Sequence, residues 1–212
     1  MNLVNFFLNN RLELSQLTLE HLRLVGLSML FAIVAGVPLG IAITRWRRLN
    51  KPVLGTASVI QTIPSLALFG FLLAVPWLGE RADRIAVLSL ALYALLPIIR
   101  NTYTGITGVD QAIVESGRGM GMTDRQLLFQ VELPLALPTI IAGVRVATVL
   151  TVGVATIAAA IGAGGLGEYI FRGLAMVNDQ LILAGAIPAA ALALFADFGL
   201  DLLEKRLRPW AA

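Results

Sequence analysis

The 212-residue chain contains no cysteine and a single histidine, His21. That excludes a disulfide framework, a thiolate metal site and a histidine cluster, so no metal site is expected. Lysine is almost as scarce. A phosphate-cradling loop needs a lysine followed by serine or threonine. Here Lys51 precedes Pro52 and Lys205 precedes Arg206, and there are no other lysines. The chain is therefore not expected to hydrolyse ATP by that route, and no catalytic residue is assigned. Charge is thin: 14% of residues are charged, against about 25% in soluble domains. No basic segment, apolar core and small-residue cleavage site open the chain, so no cleavable leader is expected. No inverted internal repeat of the kind used by many secondary transporters is visible.

What fills the space is apolar. Hydrophobic residues make up 58% of the chain and fall in uncharged runs, not amphipathic stripes. Runs of that length point to an all-α membrane protein with about five transmembrane helices, one domain over 1–212. Residues 1–21 are mixed and read as an interfacial amphipathic helix. Residues 24–44 carry no charge and are about 30 Å long as a helix, enough to cross hydrocarbon. A second span covers 53–78 and a short third one 85–99. A fourth covers about 135–160, then a glycine-rich turn at 161–167 and an external stretch at 168–180. The last span covers 181–203.

The cations orient these spans. The net charge of +3 could suggest nucleic acid, but the basic residues sit beside apolar runs, as membrane orientation requires. The segment 45–51 holds Arg45, Arg47, Arg48 and Lys51 with no acid. Placing it inside also puts Arg100, Arg118, Arg125, Lys205, Arg206 and Arg208 inside. Arg11, Arg23, Arg81, Arg84 and Arg172 fall outside, and Arg145 lies within a span. Positive charge stays cytoplasmic, so the N-terminus is expected outside and the C-terminus inside a prokaryotic cell membrane. Trp46, Trp77 and Trp210 fall at span ends and read as interface anchors rather than as a cation–π surface with Tyr169.

One polar block interrupts the oil, at 101–134. Its core reads ESGRGMGMTDRQLLFQVELP from Glu115 to Pro134. Small residues at Ser116, Gly117 and Gly119 suit a short helix seated closely on another protein. Gly121 permits a left-handed turn. Thr123 with Gln126 has the spacing of a capping box, and Leu127, Leu128 and Val131 give the next helix an apolar face. Leu133-Pro134 reads as the hinge into the following span, where a first-turn proline loses nothing.

This grammar resembles the cytoplasmic EAA loop of ABC importer permeases: a glutamate, a glycine six positions on, then an apolar residue and Leu-Pro. Glu115, Gly121, Val131, Leu133 and Pro134 match, while Ser116-Gly117 replaces the usual Ala-Ala. Two further stretches, QTIPSLAL from Gln61 and IGAGGLG from Ile161, are similar to those of glycine betaine/carnitine/choline (osmoprotectant) permeases. The resemblance implies the transmembrane domain of a type I ABC importer. Glu115, Ser116, Gly117, Gly119, Gly121, Leu133 and Pro134 would then couple to separate ATPase subunits carrying ATP and Mg. A second permease subunit and an external binding protein are the other implied partners, and no fused binding domain is expected. A methionine-type amino-acid permease is the alternative within this class. A stand-alone channel or a membrane-anchored scaffold lies outside it and leaves the loop unexplained.

Two groups of residues are candidates for the path and gate. Pro64, flanked by Gln61, Thr62 and Ser65, reads either as a kink lining a translocation path or as a structural kink solvated by neighbouring helices. Gly162, Gly164, Gly165 and Gly167 read either as an external gate between subunits or as a packing patch. Arg145 and Asp197 lie at similar depth in the fourth and fifth spans and are expected to form a structural charge pair.

Overall fold

A computed structural model describes residues 3–75, 78 and 81–207. Among these every element is helical: α1 (Leu3–Asn9), α2 (Arg11–Arg45), α3 (Arg47–Thr62), α4 (Ser65–Leu73) and α5 (Ala82–Thr107) come first. Then follow α6 (Gln111–Gly119), α7 (Asp124–Leu127), a π turn (Leu128–Glu132), α8 (Leu133–Ala155), a 3-10 turn (Ile157–Ile161), α9 (Gly167–Met176) and α10 (Asp179–Arg206). Among the described residues four runs are long and apolar enough to cross a membrane: α2, α5, Asp124–Ala155 and α10. The pair α3 and α4, bent by 98° between them, makes a fifth as one broken span.

Several expected boundaries move. Residues 11–21 are not a separate surface helix: α2 runs unbroken from Arg11 to Arg45. Leu17 and His21 are buried there, so its first turns continue the span's packing face. The third span is longer than 85–99, because α5 carries its helix through Asn101 and Tyr103 to Thr107. Isolated polar residues do not end a helix when their neighbours still pack: Thr102, Gly105 and Ile106 are all buried. The polar loop proper therefore starts after Thr107. The stretch 168–180 is mostly helical, with Tyr169 buried at 1% exposure. Trp46 marks the α2–α3 corner and is exposed. Trp77, Trp210 and Arg208 lie outside the described residues.

The helices meet at seams of small residues. On α2, Gly36 and Gly40 lie one turn apart against α5. A Cβ on Gly40 would come within 2.5 Å of Thr102 Cβ and 3.0 Å of the Ile99 carbonyl oxygen. On α8, a Cβ on Gly143 would come within 2.5 Å of Asn101 Cβ and 2.9 Å of the Pro97 carbonyl oxygen. Without a hydrophobic drive between helices in lipid, close backbone approach supplies the packing energy. The central core follows these seams, joining Leu24, Met29 and Ala32 of α2, Phe69 of α4, Leu90 and Ile98 of α5 and Ala147 of α8. Large apolar side chains also face outward, such as Phe195 and Phe198 of α10, which are 74% and 70% exposed.

These seams make one substitution pair informative. Gly40→Val overpacks the α2–α5 contact and is expected to destabilise by roughly 1–3 kcal/mol. Gly26→Ala, where nothing lies within 4 Å of the added carbon, is expected to be neutral. Thermal unfolding of the two variants in detergent checks this.

Candidate functional site

The polar block folds as a capped helix on a tight turn. Asp110 caps α6, its Oδ1 accepting the Ala112 N–H at 2.9 Å. The far end closes as a Schellman motif: Met122 N–H donates to the Gly117 carbonyl and Gly121 N–H to that of Arg118. Gly121 takes φ +84° at the position where that motif needs a left-handed residue. Gly117 is buried for contact, since an added Cβ would come within 2.7 Å of Leu127 Cδ2 and 3.1 Å of Met122 Sδ. Thr123 and Gln126 form the reciprocal capping box of α7. Glu115, Ser116, Ile113 and Met120 are left on the exposed face, while Gly119 has open space around it.

Leu133-Pro134 is not the hinge expected there. The helix begins at Asp124 and continues through Pro134 to Ala155. Its first turns widen into the π turn, where Leu133 N–H bonds back five residues to the Leu128 carbonyl. A proline clashes with the carbonyl four residues earlier and has no N–H to give it. The π turn loosens the helix at that point and lets it run on. Leu133 packs on Ile106 and Ala136 beside Ile41, whereas Pro134 is exposed. Within this turn Glu132 is buried, and Arg45 grips it with its two terminal guanidinium nitrogens, Nη1 to Oε1 at 3.2 Å and Nη2 to Oε2. In the sequence Arg45 had registered only as an orientation charge.

The QTIP stretch is a true break. Ile63 leaves the helix with ψ 128°, and Pro64 starts α4 at an angle. The carbonyl freed at Ile63 accepts from the Tyr93 hydroxyl, while Gln61 Nε2 donates to the Tyr93 carbonyl at 3.4 Å. Thr62 Oγ1 bonds its own helix at Val59, Pro64 is exposed and Ser65 is half-buried. Beyond the break, Phe69 of α4 packs in one cluster with Ala158 of the 3-10 turn that leads to the glycine stretch.

That stretch is mostly inward. Gly162, Gly164 and Gly165 have φ of +80°, +83° and +86°. Gly162 is exposed, but Gly164, Gly165 and Gly167 are buried. Gly165 N–H donates to Glu20 Oε2 at 3.1 Å, and a Cβ on Gly165 would lie 3.2 Å from His21 Nδ1. Gly167 leaves no room for a side chain against the Thr156 carbonyl. The turn is thus bolted to α2. Nearby, α9 is held by Arg172 Nη1 donating to Glu13 Oε1 at 2.8 Å, a bond that raises the arginine's pKa. Burial, with the Glu13 carboxylate beside it, pushes the Tyr169 phenol up to about 12. Tyr169 is buried and Arg172 lies 5.6 Å over its ring, so the ring is not open to a cationic solute.

Arg145 and Asp197 meet: Nε donates to Oδ1 at 2.5 Å and Nη2 to Oδ2 at 2.9 Å. The sequence had missed the wider network. Arg145 Nη1 also reaches Asp201 at 2.5 Å and lies 3.7 Å from Glu204, while Lys205 pairs with Asp201 at 2.6 Å. The signal was legible: Asp197, Asp201 and Glu204 recur at helical spacing on one face of α10. Among the described residues no cluster of His, Cys, Asp or Glu is disposed to hold a metal ion.

The left-handed turn after α6 makes a sharp test. Gly121→Val forces a β-branched residue into φ +84° and is expected to cost about 1–2 kcal/mol locally. Gly119→Ala, two residues away, is expected to be silent. Limited proteolysis of the loop in the two variants reads the difference as faster cutting in the first alone.

Three comparisons bear on this arrangement. A family model described as "Binding-protein-dependent transport system inner membrane component" matches residues 32–209. The carnitine transport permease protein OpuCB of Listeria monocytogenes is 46% identical, over 99% of this chain and 94% of its own length. The glycine betaine/carnitine/choline transport system permease protein OpuCD of Bacillus subtilis is 49% identical, over 90% of this chain and 82% of its own. The osmoprotectant import permease protein OsmW of Salmonella typhimurium is 43% identical, over 99% of this chain and 98% of its own. Among solved structures, a chain of the inward-facing MetNI methionine ABC transporter superposes with a TM-score of 0.82 at 23% identity. That match covers 92% of this chain and 95% of the other, and shows that the fold is that of ABC importer transmembrane domains. The chain belongs to the binding-protein-dependent transport system inner membrane component family and is a multi-pass membrane permease subunit.

Proposed function

We propose that this chain is the permease of an ATP-driven importer for osmoprotectants, quaternary amines of the glycine betaine, carnitine and choline class. The observation that carries the reading is α6. It is a nine-residue helix, capped at both ends and set between two membrane-spanning runs. Its outward face of Ile113, Glu115, Ser116 and Met120 is exposed. Such a face suits a groove on a separate ATPase subunit, which would carry ATP and Mg. The ATPase's closure would move α6, and α7 with it through the Gly117–Leu127 contact. A second permease subunit and an external binding protein complete the assembly, and the broken span at Pro64 and the turn at Gly162 contribute to the path and its outer gate.

The solute class is supported by relatives at 43–49% identity that are named for carnitine, choline, glycine betaine or osmoprotectants. The methionine transporter shares the fold at 23% identity, which says nothing of cargo. The cation asymmetry supports α6 and the C-terminus lying in the cytoplasm.

Reconstitution with the ATPase and binding protein tests the solute. Glycine betaine, carnitine or choline is expected to stimulate ATP hydrolysis severalfold, and methionine to leave it unchanged. Stimulation by methionine alone would overturn the assignment. Orientation is checked separately with Ser116→Cys, the sole cysteine in such a variant. An impermeant maleimide is expected to label it in inverted membrane vesicles and not in intact cells.

A further inference from the structure

The helix α2 is fastened at both ends to the parts of the molecule that the proposed function sets in motion. At one end Arg45 grips Glu132, in the π turn that follows directly on α7. At the other Glu20 accepts the Gly165 N–H of the glycine turn, and His21 Nε2 lies 3.2 Å from the Val152 carbonyl. Between Glu20 and Arg45 the helix is unbroken, a distance of about 38 Å at 1.5 Å per residue. We infer that α2 is a connecting rod: Arg45–Glu132 ties it to the cytoplasmic block and Glu20 ties it to the outer glycine turn. Arg45, Glu132 and Glu20 are positioning residues that carry displacement of α6 across the membrane.

Three observations favour this over simple stabilisation. Glu132 is buried but the Arg45 side chain is 36% exposed, and an ion pair so open to water adds little stability, so its use lies in fixing which segments meet. Glu132 is only 6% exposed and sits where the helix is already loosened, so a two-bond polar link falls at a π turn. At the far end, Gly164 and Gly165 both leave room for Glu20 or His21 where a side chain would collide or crowd. The turn is thus shaped around α2. Pro38 is the one interior proline of the rod, and its neighbours Gly36 and Gly40 lock that stretch to α5.

The inference rests on α6 being the coupling element, and the test separates the two. The chain has no cysteine, so Ala160→Cys, exposed beside the glycine turn, gives a single reporter. In the assembled transporter in proteoliposomes, its labelling by an impermeant maleimide is followed without nucleotide and with ATP plus orthovanadate. The parent rate is expected to change by at least about fivefold, the low end of ordinary coupling between sites. Glu132→Gln and Glu20→Ala are each expected to flatten that change and to lower solute transported per ATP, with hydrolysis continuing. The swap Arg45→Glu with Glu132→Arg is expected to restore it, and remains informative should Glu132→Gln assemble poorly. A parent that ignores nucleotide overturns the coupling reading and the rod with it. A responsive parent whose Glu132→Gln and Glu20→Ala variants respond equally overturns the rod alone.

Discussion

In hydrocarbon an unpaired carbonyl or a lone charge has no water to turn to, and four interruptions of this bundle are repaired from within the protein. The Ile63 carbonyl freed before Pro64 is met by the Tyr93 hydroxyl. The backbone disturbed by Pro134 is absorbed by a π turn. The N–H exposed in the glycine turn is met by Glu20. The charge of Arg145 is met by Asp197 and Asp201. Each repair reaches to a different helix, or in the π turn re-registers its own. The irregular points a moving path requires are therefore also the points that tie the helices together.

This explains the division between smooth seams and polar ties. The α2–α5 and α5–α8 contacts rest largely on glycines set against backbone and side chains, with the Ser28 hydroxyl donating to the Val87 carbonyl at 3.1 Å across the first of them. Such surfaces hold helices close but do not fix one register over another as a directional bond does. The ties do: a bidentate guanidinium–carboxylate pair tolerates little displacement before it breaks. Motion in this fold is thus expected to occur as rigid groups of helices shifting about a few broken turns, not as bending spread along the spans.

Much of this was legible in the sequence, for physical reasons. Uncharged runs gave the spans, and spacing gave Gly121, the Thr123–Gln126 box and the Arg145–Asp197 encounter. What escaped was tertiary. Nothing local in 11–21 says that its turns continue the first span, because Glu13 and Glu20 look like surface charges until their partners Arg172 and Gly165 arrive from far along the chain. Pro134 read as a helix start because a first-turn proline is harmless, yet a π turn allowed the helix to begin ten residues earlier, at Asp124. Glu132 had no visible partner in sequence. Its place between Val131 and Leu133, a charge on a packing face, was the available clue.

In the proposed function, force enters at α6. A photo-crosslinking residue in place of Ser116, in the fully assembled transporter, tests it most directly. An adduct with the ATPase subunit is expected. Adducts formed only with lipid, or with the external binding protein, would contradict it.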